Sequence, residues 1–219
     1  MNFRAVSEVV GALMVISLIV SVAGILYAMS YPIIAENEET IRYRKAYFDL
    51  LEIREKIENV RSGFEFNSSH ALRLSGVSIS FQNEPIIFLN ETMLNLSSIK
   101  ISGSGWELSY ENGAIFERRL NYLKILHYPD IYYDTTTDTL TMPIIKFTGN
   151  MSAGGKGILT LNLKLQSVSK HSCSNCTVKI VSSNHEGWKN FLKEIGISIL
   201  EDNFKVSKLD IAIYEVRIQ

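Results

Sequence analysis

The sequence predicts an α+β chain: a long, kinked N-terminal helix followed by an antiparallel, β-rich, sandwich-like head with one short helix. Three observations carry this. From Val9 to Tyr31 there are 23 consecutive residues without a charge, dominated by Val, Ile, Leu, Met and Ala. At about 1.5 Å per residue they form a helix of roughly 35 Å, enough to cross a hydrocarbon layer of about 30 Å. After it, Tyr43, Tyr47, Leu50, Ile53, Ile57 and Val60 recur at steps of three and four, the period of one helical face. Beyond Gly63 the pattern changes to short alternating runs separated by turn residues, the period of strands.

The first helix takes its start from Ser7, a suitable N-cap, with Glu8 in the first turn where the helix dipole favours an anion. Pro32 lacks a backbone donor and is expected to kink or interrupt the helix. The amphipathic half has Glu38–Arg42 and Glu52–Lys56 as i,i+4 pairs on its polar side, and Ser62-Gly63 ends it. A cleaved secretory signal has a shorter apolar region of about 7–15 residues and a small-x-small site at its far end. The far end here reads Met29-Ser30-Tyr31-Pro32, so the helix is expected to stay in the mature protein.

In the head, Leu72 to Leu74 and Val77 to Phe81 alternate but change phase at Ser75-Gly76, which predicts a bulge. Pro85–Leu89 and Ser98–Ser102 read as strands. Glu107–Glu111, Asn112-Gly113 and Ala114–Glu117 form the clearest hairpin, with a type I′ turn at Asn-Gly. Leu123–Tyr133 and Thr139–Phe147 follow as strands, and Leu159, Leu161, Leu163 and Leu165 alternate on one face. Glu186–Ile195 is expected to be a short helix with Trp188, Phe191, Leu192 and Ile195 on one side. Ile197–Leu200 and Leu209–Ile218 close the sheet. The expected organisation is a leader at 1–5, the helix at 6–62 (apolar half 6–31, amphipathic half 33–62) and the head at 63–219.

Composition narrows the function. With 22 Lys plus Arg against 23 Asp plus Glu the net charge is −1, so no field of one sign invites nucleic acid. Five Asn-x-Ser/Thr sites, at Asn67, Asn90, Asn95, Asn150 and Asn175, all lie beyond the helical part and suit an exported, glycosylated head. Arg4 before the apolar run is outnumbered by Arg42, Arg44 and Lys45 after it, so loop charge does not set the orientation. The sequons and the cysteine pair place the head outside.

Cys173-Ser-Asn-Cys176 has three readings. A redox pair needs a βα turn, whereas this pair lies between strand-like stretches. With His171 and His185 it offers a zinc set, but His171 is only two residues from Cys173, a poor spacing. A local disulfide across a loop outside the cell fits best. Gly154-Gly155-Lys156 lacks the remaining Walker residues and reads as a turn. Asp130, Asp134 and Asp138 lack calcium-loop spacing, and no nucleophile elbow accompanies the Ser, His and Asp residues. No enzyme, cofactor or metal site is expected.

Within the helix, Ser17, Ser21, Gly24 and Ala28 fall on one face. Small residues at that spacing let helices approach closely in a membrane, although a plain single-span anchor often contains them too.

The N-terminus, Arg4-Ala-Val-Ser-Glu-Val-Val-Gly11 followed by the apolar helix, resembles that of archaeal type IV pilin precursors, with their class III signal peptides. The resemblance implies that a prepilin peptidase cuts at Arg4, Ala5 and Val6, after Ala5 or after Arg4. The helix would then sit in the cytoplasmic membrane and later polymerise with other copies in a filament core, aided by pilus assembly machinery. Glu8 would pair with the new terminal amine; the other reading is a first-turn acid that reaches water. Tyr110-Glu-Asn-Gly-Ala-Ile115, Thr139-Leu-Thr-Met-Pro-Ile-Ile145 and Cys176–Ser183 leading to Gly187-Trp188 resemble an uncharacterised archaeal pilin-like surface family widespread in haloarchaea. The balanced charge is unlike halophile composition and points to a non-halophilic archaeon. The expected function is a structural filament subunit, the alternative a single-span surface binding protein that does not polymerise.

Overall fold

The computed structural model describes residues 3–90, 92–120, 122–149, 152–200 and 202–218; of residues 3–9 it describes the backbone alone. Two compact units divide at Ile41/Arg42, so the last third of the first helix counts with the head.

Helix α1 runs Phe3–Arg61. It begins before Ser7, which therefore lies inside the helix and does not cap it. Pro32 does not interrupt it either: the proline removes one hydrogen bond, to the carbonyl of Ala28, and the turns on either side remain helical. The strands follow as β1 (Asn67–Gln82), β2 (Ile86–Leu89), β3 (Thr92–Asn95), β4 (Ser98–Ser102), β5 (Glu107–Glu111), β6 (Ala114–Arg119) and β7 (Tyr122–His127). Then come β8 (Tyr132–Asp134), β9 (Thr139–Thr148), β10 (Ser152–Val181), helix α2 (His185–Glu194), β11 (Ile199–Leu200) and β12 (Asn203–Ile218).

The α+β layout is as expected. Among the described residues, twelve strands form one sheet in the order β7-β6-β5-β4-β1-β10-β12-β9-β8, with β2, β3 and β11 attached beside it. The sheet is mixed, because β9 and β12 pair in parallel from Thr139↔Lys208 to Thr148↔Arg217. That geometry is open to them because β10 and α2 lie between them in the chain and supply the crossover a parallel pair needs.

Local chemistry accounts for the registers. The bulge falls at Gly76, with φ +84°, where pairing with β10 shifts between Ser75 and Val77. Asn112 and Gly113 both have positive φ, 47° and 88°, as a type I′ turn demands. Two expectations change. Leu123–Tyr133 is not one strand, because Pro129 separates β7 from β8. Gly154 and Gly155 are not a turn: they pair with Ser78 and Val77 inside β10.

The head has two hydrophobic cores. In the first, Ala46, Leu50, Ile53, Ile57 and Val60 of α1 pack with residues of β1, β4, β5 and β10, including Leu72, Ile99, Tyr110 and Leu161. In the second, Trp188, Phe191 and Leu192 of α2 pack with Phe116, Leu140, Met142, Val178 and Phe204. The long strands β9, β10 and β12 contribute to both cores and join them. The first core is the periodic face read from the sequence: Leu50, Ile53, Ile57 and Val60 are wholly buried. Each such side chain is worth about 1.5–3 kcal/mol over leaving it in water.

Candidate interaction helix and the node behind the head motifs

The half of α1 ahead of the head has the opposite character. From Val10 to Ile34 every large apolar side chain is exposed, by 46–70 %. The stretch is long and apolar enough to cross a membrane, and none of its most apolar window is buried in the protein. Soluble proteins rarely expose a continuous apolar surface of this extent, so it marks a contact with lipid or with other protein. One polar side chain on it is satisfied within the helix: the Ser21 hydroxyl donates to the Ser17 carbonyl at 2.8 Å, as suits a helix in hydrocarbon. Gly24 is a helix-weakening residue, and a Cβ added there meets nothing within 4 Å. No contact within the chain accounts for that glycine. Ser17, Ser21, Gly24 and Ala28 are all exposed. The side chains of Arg4, Ala5, Val6 and Glu8 lie outside the described residues.

The three head segments with a family resemblance converge on one structural node. Glu111, at the end of β5, is completely buried. Its carboxylate accepts hydrogen bonds from Trp188 Nε1 at 2.9 Å, Ser182 Oγ at 2.7 Å and Asn184 Nδ2 at 2.6 Å. Asn184 also donates to Ser109 Oγ at 2.7 Å and accepts from Arg118 at 2.9 Å. Burial pushes the Glu111 carboxyl above its ordinary value, and the donors from Trp188, Ser182 and Asn184 pull it back only in part. The next residue, Asn112, ties the hairpin to β9: its Oδ1 accepts from Ile145 N at 2.8 Å and its Nδ2 donates to the Pro143 carbonyl at 3.0 Å. Arg54 of α1 donates to the Gly113 carbonyl at 3.0 Å. Gly187 lets α2 sit close, since a Cβ there would lie 2.6 Å from the Phe116 ring. The node therefore pins α1, the β5–β6 hairpin, β9 and α2 together. Sequence reading singled out its segments but missed the roles of Glu111, Ser109 and Asn184, because buried polar networks have no periodic signal.

The remaining candidates are dispersed. Cys173 and Cys176 are joined as a disulfide inside β10, which runs through the stretch expected to be a loop and pairs there with β12. His185 is not beside them: its Nε2 lies 3.0 Å from Asp202. Asp130 pairs with Arg61 and Arg54. Asp134 and Asp138 instead organise their own loop. Bonds from Thr136 and Thr137 bring the Asp134 carboxyl down to about 2, and those from Ser207 and Tyr133 lower Asp138.

Among the sequons, Asn67, Asn90, Asn95 and Asn175 are exposed, and Asn150 lies outside the described residues. The Asn90 side chain is engaged, with Oδ1 accepting from Thr177 N at 2.9 Å and Nδ2 3.6 Å from Cys173 Sγ.

Fold and site together define a class: an apolar N-terminal helix, compatible with membrane anchoring, ahead of a sheet-built head. More particularly, the chain belongs to the family described as "Family of unknown function (DUF7289)", whose model matches residues 4–216. An uncharacterized protein of Archaeoglobus fulgidus is 31% identical over 192 residues, covering 75% of this chain and 72% of the relative. No solved structure matches the chain significantly.

Proposed function

We propose that the chain is a structural subunit of an archaeal type IV pilus-like surface filament and not an enzyme. The observation that carries this reading is the exposed apolar surface of residues 10–34, followed along the helix by a stretch that buries Leu50, Ile53, Ile57 and Val60 against its own head. One half holds the head, which leaves the other for neighbours. In this reading prepilin peptidase cuts at Arg4, Ala5 and Val6, and the helix rests in the cytoplasmic membrane until the assembly machinery adds it to a growing filament. There it packs against copies of itself through Ser17, Ser21, Gly24 and Ala28, with Glu8 near the new amine. The head, carrying the Cys173–Cys176 link and glycans on its sequons, faces the exterior and serves adhesion or a related surface role. The relative in Archaeoglobus fulgidus supports an archaeal setting.

N-terminal sequencing of the main component of purified surface filaments tests this. A start at Val6 or Ala5 is expected. Intact Met1 on a detergent-soluble monomer, with no filament containing the chain, would instead identify a single-span surface protein that does not polymerise.

A further inference from the structure

We propose that Asp49, Glu52 and His70 form a site for one divalent transition-metal cation of the zinc type, joining the amphipathic half of α1 to β1. Asp49 and Glu52 stand three residues apart on α1 and so share one face, and His70 reaches them from β1. One potential ligand atom from each lies within 4.8 Å of the others. His70 Nε2 is 3.5 Å from Asp49 Oδ1, and Nδ1 is 3.5 Å from Glu52 Oε2.

Those spacings are too long for hydrogen bonds, which fall at about 2.7–3.2 Å for nitrogen and oxygen. The Nε2–Asp49 gap matches two ligands on one tetrahedral cation, whose neighbouring ligand atoms sit about 3.4 Å apart for bonds of about 2.0–2.1 Å; Glu52 faces the other ring nitrogen and would turn toward Nε2 to join them. The His70 side chain is only 7 % exposed, and its Nε2 is buried without a hydrogen-bond partner. Buried polar nitrogens of this kind are rare because leaving them unpaired is costly. A cation held with Asp49 would occupy that nitrogen.

The surroundings suit a partly open site. Asp49 is 17 % and Glu52 60 % exposed, so Glu52 provides an entry path and can swing between the two ring nitrogens. The Lys45 amine, close to Asp49, donates to the Arg73 carbonyl. Asp49 and Glu52 supply two carboxylates to the ion, with Arg42 and Arg73 also lining the hollow beside Asp49. One imidazole with two carboxylates is a donor set suited to zinc or manganese, in contrast to the oxygen-only cage of calcium.

The test is Zn²⁺ titration of the full-length, chelator-treated protein in detergent, by calorimetry and by Co²⁺ absorption as a spectroscopic stand-in. One ion per chain at micromolar or lower free metal is expected, with a rise in the unfolding midpoint. His70→Gln should abolish binding and Asp49→Asn weaken it at least about tenfold. The exposed Glu52→Gln, which spares the core, should weaken it measurably, whereas His171→Gln and His185→Gln should leave it unchanged. No binding below about 1 mM, or binding indifferent to His70→Gln and Glu52→Gln, would overturn the proposal.

Discussion

The two halves of α1 share one helical geometry and differ in everything attached to it. Residues 10–34 are apolar around the whole circumference, and their large side chains face outward. Residues 42–61 are apolar on one stripe, and that stripe is buried to completion at Leu50, Ile53, Ile57 and Val60. A stripe fits a single partner, here the chain's own sheet. A full circumference needs partners on every side, which a head on one chain does not supply. The contrast separates residues that stabilise the head from residues left exposed for contact with lipid or other protein.

The sharpest way to break this comparison is truncation in each half. Ile53→Ala is expected to lower the unfolding free energy of the head by about 2–5 kcal/mol, because it removes buried methyl groups and leaves a cavity. Ile16→Ala should change the same quantity by no more than about 0.5 kcal/mol. Denaturant unfolding in mild detergent, followed by tryptophan fluorescence, measures both. Equal losses would erase the distinction between the halves.

The node offers the next effect. Gly187→Ala places a methyl group 2.6 Å from the edge of the Phe116 ring and should cost about 1–3 kcal/mol through the second core, without touching the first. Glu111 gives a pH signature. Its folded-state carboxyl sits above the ordinary value of 4.5, so the folded chain holds a proton that the unfolded chain has released. That contribution to stability is present at low pH and declines as pH rises from about 4.5 through the folded value. Glu111→Gln should remove this decline, visible as a flatter stability–pH curve over that range relative to the wild type. An unchanged slope would mean that the node does not bury a titrating carboxyl. At the small end, Asp130→Asn loosens the half-exposed pair with Arg61 and should cost no more than about 1 kcal/mol, less in high salt.

Much of this comparison was legible in the chain. Unbroken apolarity from Val9 and the three-four spacing from Tyr43 each follow from a period, and a period is a local property. The Asn112-Gly113 turn and the Gly76 bulge were legible for the same reason: backbone sterics leave few other residues that fit. What escaped was set by distant partners. Ser7 would make a good cap, but the helix continues through it towards Phe3. The parallel pairing of β9 and β12 depends on sequence separation, and the strand character of Gly154-Gly155 depends on a partner some 75 residues earlier, at Val77 and Ser78. The Glu111 network and the Asp49–Glu52–His70 cluster join residues from separate elements, and nothing in either element alone announces them.

In the proposed filament the outward apolar half is the packing surface between copies. Replacing Ser21 and Gly24 together with Leu tests that most directly, because the change keeps the helix apolar and membrane-compatible while filling the small-residue face. Membrane fractionation and electron microscopy of the cell surface give the readout. The expected result is normal membrane insertion, a folded head and loss of filaments. Filaments of normal abundance built from the double-leucine chain would contradict it.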